Sequence, residues 1–280
     1  MIGERNVSWK DGDQTLAQNK LVITGMGALT PIGLDVPSYW KALTAGVCGV
    51  GPITRFDASG LPVQIAAELK GFDPIDYMPK TLARTMDPFM QYAFAAAEQA
   101  LMDSGLDVAD APDRIGIVMG TAMDGVTTVA GTQASYDAGH RVGPRFVPMT
   151  IGNIAAAQIS IMHGITGPSL THNTACSAGG DAIMTAAMLL RAGEADAILA
   201  VGGESILCPV VVSGLAQAHA LSRRNDDPAH ACRPFDAERD GFVIGEGGGA
   251  LIIETEAHAR ARDAHIYAEV VGYANTSDAH

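Results

Sequence analysis

A chain of 280 residues, 48% hydrophobic and only 18% charged, is long and apolar enough to bury a sizeable core. Its net charge of −13 excludes nucleic acid as a general partner, because phosphate binding needs a basic face, and leaves room only for a local basic patch. Four scattered cysteines without a CxxC pair suit reduced thiols and a cytoplasmic protein, and no apolar run approaches the length of a membrane span.

Residues 1–19 are polar, lack the apolar centre of a signal peptide, and read as a disordered leader to a domain at 20–280. Lys20–Thr30 (KLVITGMGALT) is a buried first strand, and Pro37–Gly46 is a helix that Ser38 can cap. Arg55–Pro79, broken by five Gly and Pro residues, is an irregular excursion. The helix from Asp87 to Ser104 has Asp87 as its cap, Pro88 in its first turn and Gly105 as its stop. Ile115–Met119 is a second buried strand, Gly125–Arg145 a loop with one short helical piece, and Ile151–His163 a helix. Ser169–Ala175 reads as a strand, Ser177–Arg191 as a helix and Ala195–Val201 as a strand. Strands at Ala250–Glu254 and Ile266–Tyr273 flank a short helix, Glu256–Asp263. Strands alternating with apolar helices define an α/β domain with a substantially parallel sheet.

Cys176 stands at a strand–helix junction. Free N–H groups and the helix dipole meet there, which favours a thiolate, the form that attacks carbonyl carbon. A buried structural cysteine is the alternative that local sequence leaves open. Two glycine clusters, Gly25–Gly27 and Gly245–Gly249, follow or precede strands without the strand–turn–helix setting of a dinucleotide site, and read as tight turns. The eight histidines show no zinc spacing. His258 and His265 read as solvated. His172 lies four residues before Cys176, roughly 13 Å along a strand, too far to be its base.

These residues carry a family resemblance. NTACSAGG (Asn173–Gly180) resembles the active-site cysteine segment of the β-ketoacyl synthases, and RPFDAERDGFVIGEGGGAL (Arg233–Leu251) a long second signature of their elongating members. LVITGMGALTPIG (Leu21–Gly33) resembles their first strand and turn, and GPRFVPMTIGNIAA (Gly143–Ala156) the segment before the active site. The four blocks stand in family order across almost the whole chain, and are most similar to the type II synthases of bacterial fatty-acid elongation.

The resemblance implies a thiolase-like fold of αβαβα layers made of two halves, of which this chain is the N-terminal one, and a homodimer without cofactor or metal. It implies that Cys176 takes an acyl group from acyl carrier protein, with its own N–H in the oxyanion hole. Met123 aligns with the residue that gates the acyl pocket, and Phe146 with one reaching the pocket across the dimer. Lys80, Arg84 and Arg141 align with a carrier-protein docking patch, and His219 stands where an arginine is usual. The second half, with two histidines and a lysine that serve malonyl-carrier protein, is absent, so the 280 residues alone are expected not to condense. A polyketide ketosynthase and a non-catalytic half-protein are the alternatives. Chain-length factors lack the cysteine, and thiolases lack the Arg233–Leu251 block.

Overall fold

In a computed structural model that describes residues 20–277 and 279, strands and helices alternate along the chain. The leader read at residues 1–19 lies outside the described residues. Strand β1 (Leu21–Leu29) is followed by helix α1 (Val36–Thr44), whose cap is Asp35 rather than Ser38. Asp35 Oδ1 accepts the Ser38 N–H at 2.6 Å, and the Asp35 N–H donates to the Ser38 hydroxyl at 3.3 Å. Both residues thus satisfy each other's free donors, and the helix starts earlier than Ser38 alone implies.

Within the irregular excursion, β2 (Gly51–Pro52) pairs with β3 (Ile65–Ala66), and a short α2 (Lys80–Ala83) leads into α3 (Pro88–Ser104). Helix α3 is capped by Asp87 and stopped by a left-handed Gly105, as its sequence dictates. Strand β4 (Ile115–Thr121) is buried at every position. Then come α4 (Val126–Asp137), α5 (Phe146–Thr150) and α6 (Asn153–His163). Helix α4 replaces the expected loop with a short helical piece. It has no buried residue, hence no apolar stripe by which to find it.

Strand β5 (Ser169–Asn173) ends two residues earlier than expected, before a 3₁₀ turn at Ala175–Ser177, helix α7 (Ala178–Arg191) and strand β6 (Ala197–Glu204). Helix α8 (Pro209–Gln217) was not foreseen in the sequence. It precedes β7 (Gly247–Thr255), α9 (Glu256–Ala261) and β8 (Ala268–Glu269). Of the strand expected at Ile266–Tyr273, only Ala268 and Glu269 pair, with Ile23 and Val22.

One six-stranded sheet has the order β5-β4-β6-β7-β1-β8. Strand β4 is parallel to β5 and β6, whereas β7 is antiparallel to β6 and β1, and β8 to β1. The sheet is therefore mixed and not substantially parallel as its sequence pattern suggests; apolar periodicity identifies a strand but carries no information about its direction. Helices α3 and α6 cover one face, packing Phe94 and Ile159 around Ile117, Met119 and Leu199. Helix α7 covers part of the other, with Ala182, Ala186 and Leu190 against Val118, Ile198 and Ile253. Its opposite side, apolar in sequence, carries an exposed Met188 and half-buried Ile183 and Leu189.

The glycine clusters are not turns. Gly25 and Gly27 lie inside β1, and Gly247–Gly249 begin β7. A Cβ on Gly27 would come within 2.0 Å of the Ala96 carbonyl oxygen, and one on Gly248 within 2.5 Å of that of Tyr92. Glycine is required there because the backbone of α3 rests directly on the strands.

Candidate active site

The site is built where β4 and β5 end side by side, with Gly120 opposite His172 and Thr121 opposite Asn173. Beyond β5 the chain reverses sharply. Ala175 takes a left-handed conformation with φ of +53°, which costs a non-glycine residue about 1–2 kcal/mol. Cys176 follows within the 3₁₀ turn, and α7 begins two residues later. Gly120 lies beneath this start, since a Cβ on it would stand 2.2 Å from the Ala178 carbonyl oxygen. The strained turn therefore lifts Cys176 to an exposed position at the N-terminal end of α7.

Cys176 opens onto a groove of about 980 Å³ beside α7. Its floor is the sheet surface left bare by that helix, including Gly202 and Glu204 of β6 and Gly247–Leu251 of β7. Trp40 of α1 and Thr121–Ala122 after β4 form its sides, and no histidine is among the residues that line it. The other thiols have different settings: Cys208 is buried, while Cys48 and Cys232 are exposed away from the groove.

Three carboxylates brace the surrounding backbone. Asp181, in the first turn of α7, accepts the Thr174 hydroxyl at 2.5 Å and the Ser177 hydroxyl at 2.9 Å on Oδ2, and the Asn275 amide at 2.9 Å on Oδ1. The Thr174 and Ser177 hydroxyls hold its carboxyl below the usual range, with smaller help from Asn275 and the nearby His172. Glu204 accepts the Ala122 and Met123 N–H groups and the Thr121 hydroxyl, although burial pushes its carboxyl up. Asp124, also raised by burial, accepts the Asn173 amide at 2.9 Å. The segment after β4 is thus tied to β6 and to the residue before the Cys176 turn.

The remaining residues singled out in the sequence lie around this groove. Met123 is 43% exposed and follows the groove-lining Ala122, with its N–H on Glu204. Phe146 is half-buried at the start of α5 and does not line the groove. Lys80, Arg84 and Arg141 are all exposed. Arg145 Nη1 reaches the Arg84 carbonyl at 3.5 Å, which brings the segment carrying Arg141 toward the end of α2 and adds a cation that sequence reasoning passed over. His219 is exposed and left-handed just beyond α8, beside a separate cavity that includes Cys232 and Arg233. His172 Nε2 bonds the Thr185 hydroxyl at 2.8 Å. His258 is not simply solvated, because its Nδ1 pairs with the buried Glu254 at 2.5 Å. Asp181 was missed too, although an acid five residues after Cys176 in an apolar helix is a visible signal.

The site is thus an exposed cysteine on a turn that runs from a strand through a left-handed residue into a helix laid on an α/β sheet. Residues 18–259 match the family described as "Beta-ketoacyl synthase, N-terminal domain", and the chain belongs to that family. Among curated relatives it is 45% identical over 268 residues to the 3-oxoacyl-[acyl-carrier-protein] synthase 2 of Vibrio cholerae serotype O1, covering 95% of this chain and 65% of that protein. The same figures, over 269 residues, relate it to the protein of that name from Staphylococcus aureus strain N315. The chain therefore spans about two thirds of the length of these relatives, at 65%. Among solved structures it superposes on a β-ketoacyl synthase from Burkholderia phymatum STM815 with a TM-score of 0.84 at 32% identity, covering 94% of this chain and 65% of that one. It also superposes on a type II polyketide ketosynthase solved in complex with its acyl carrier protein, with a TM-score of 0.82 at 29% identity over 94% of this chain and 64% of that one. The fold is thiolase-like α/β, as the four sequence blocks imply.

Proposed function

We propose that this chain is the nucleophile-bearing N-terminal part of a 3-oxoacyl-[acyl-carrier-protein] synthase that elongates fatty acids. The observation that carries the reading is Cys176, exposed on a left-handed elbow at the start of α7 and open to an apolar groove. In this reading the Cys176 sulfur attacks the thioester carbonyl of acyl-carrier protein. The carrier thiol leaves, and an acyl-Cys176 thioester remains. The Cys176 N–H donates to the oxygen on which negative charge develops. Malonyl-carrier protein then loses carbon dioxide, its enolate carbon attacks the acyl carbonyl, and the Cys176 thiolate departs. The groups that bind malonyl are proposed to come from the part of the relatives' length that this chain does not match.

In the same reading Met123 gates the acyl pocket, Phe146 reaches it across a homodimer, and Lys80, Arg84 and Arg141 dock carrier protein in the cytoplasm. Residues 1–19 serve as a leader to the domain at 20–280. Identity of 45% to the 3-oxoacyl-[acyl-carrier-protein] synthase 2 proteins, against 29% to the polyketide ketosynthase, supports fatty-acid elongation over polyketide synthesis. The test is peptide mapping after incubation with acyl-carrier protein. The acyl mass should appear on the Cys176 peptide and vanish in Cys176→Ala. Label carried mainly by Cys48, Cys208 or Cys232 would refute the assignment. Condensation itself is to be assayed in a protein that includes the unmatched third of the relatives.

A further inference from the structure

The Cys176 turn is held by a side chain outside the reacting groups. Thr174 and Ser177 flank the Ala175–Cys176 pair, and both hydroxyls converge on one oxygen, Asp181 Oδ2, at 2.5 and 2.9 Å. The Ser177 hydroxyl also lies 2.9 Å from the Thr174 carbonyl oxygen, so its single proton is shared between that carbonyl and the Asp181 carboxylate. Asp181 is 8% exposed, and Asn275 occupies its other oxygen. A carboxylate so enclosed, with three donors directed at it, is not an ordinary solvated charge. Ala175 contributes no side-chain hydrogen bond to its own left-handed conformation, so the restraint comes from its neighbours.

We propose that Asp181 is a positioning residue for Cys176: through Thr174 and Ser177 it clamps both ends of the left-handed turn that presents the thiol at the start of α7. The proposal takes from the functional reading only that Cys176 is the nucleophile. Asp181 carries a negative charge as well as the two accepted hydroxyl bonds. Its amide and alanine variants separate the clamp from the charge. Asparagine keeps an oxygen for the hydroxyls and loses the charge, with Asn275 turning its own amide to match. Alanine loses both.

The experiment is the rate of iodoacetamide alkylation at Cys176 in the folded protein, read by peptide mass with Cys48 and Cys232 as internal references. Asp181→Asn should react at or above the wild-type rate. Asp181→Ala should fall about fivefold or more below Asp181→Asn, as the thiol loses its alignment with the helix start. Thr174→Val with Ser177→Ala, which keeps the carboxylate, should also slow alkylation, and adding Asp181→Ala to that pair should cost little more. Asn275→Ala, which removes a donor only from Oδ1, should stay within about twofold of wild type.

Equal rates for Asp181→Ala and Asp181→Asn would overturn the proposal. So would a full, additive loss from Asp181→Ala on the double variant, or a loss in Asn275→Ala as large as that in Asp181→Ala. If Asp181→Ala does not fold, the Thr174→Val, Ser177→Ala variant decides, and a wild-type rate there overturns the clamp. Alkylation needs no carrier protein. If wild-type Cys176 takes no acyl group while the alkylation order holds, the functional reading fails and the clamp stands.

Discussion

Gly120→Ala tests how tightly Cys176 is set by the sheet beneath it. The added Cβ would stand 2.2 Å from the Ala178 carbonyl oxygen, 2.4 Å from its carbon and 2.8 Å from the Gly179 nitrogen. Ordinary contact begins at 3.4 Å, so the first turn of α7 must rise by about 1 Å. The obstructing atoms are backbone, and no rotamer change relieves them. Overpacking of this kind costs about 1–3 kcal/mol of stability. A displacement near 1 Å at a reacting group costs on the order of a hundredfold in rate. Denaturant unfolding should therefore show a lower midpoint at unchanged slope. Acylation of Cys176 by a small thioester should slow by about tenfold to a hundredfold. Gly180→Ala is the control, because nothing lies within 4 Å of the position for a Cβ there, and helix propensity should raise stability by about 0.5–1 kcal/mol. A Gly120→Ala protein with wild-type midpoint and acylation rate would refute the idea that the strand fixes the start of the helix.

Charge reversal at Arg84 or Arg141 should slow acyl transfer from carrier protein but spare transfer from a small thioester, and added salt should reproduce the effect. Equal losses with both donors would place the docking surface elsewhere. Glu254 has no exposed surface and accepts hydrogen bonds from Thr24, His258 and Arg262. Burial raises its carboxyl, but these donors outweigh burial and leave it below its ordinary value of 4.5. Its contribution is thus complete above pH 4.5 and is lost as pH falls through the lower folded-state value, so the melting temperature should drop in acid. Glu254→Gln should cost about 3 kcal/mol near neutrality, since Arg262 loses its buried partner, and should flatten that acid limb. An unchanged acid limb in this variant would show that other carboxylates govern it.

The sequence by itself determined the elements whose causes lie within a few residues. Asp87, Pro88 and Gly105 mark both ends of α3, and the apolar run Ile115–Met119 marks β4. The apolar helix after Cys176 places a thiol at a helix start, and the four blocks around it are specific enough to identify the family. Tertiary structure decided what depends on distant partners. The Gly25–Gly27 and Gly247–Gly249 segments look like turns until α3 is laid across the sheet, at which point Gly25, Gly27 and Gly248 each answer to an α3 carbonyl far away in sequence. The direction of β7 and the exposed helix α4 have no local signal in hydrophobic periodicity. Glu204 reaches Ala122 across 82 residues and Asn275 reaches Asp181 across 94, so neither brace is encoded in a short pattern. Local sequence placed Cys176 at a helix start because propensity and capping act within one helical turn. Its posture came from the fold, because close backbone approach and hydrogen bonds between distant segments exist only once the sheet has formed.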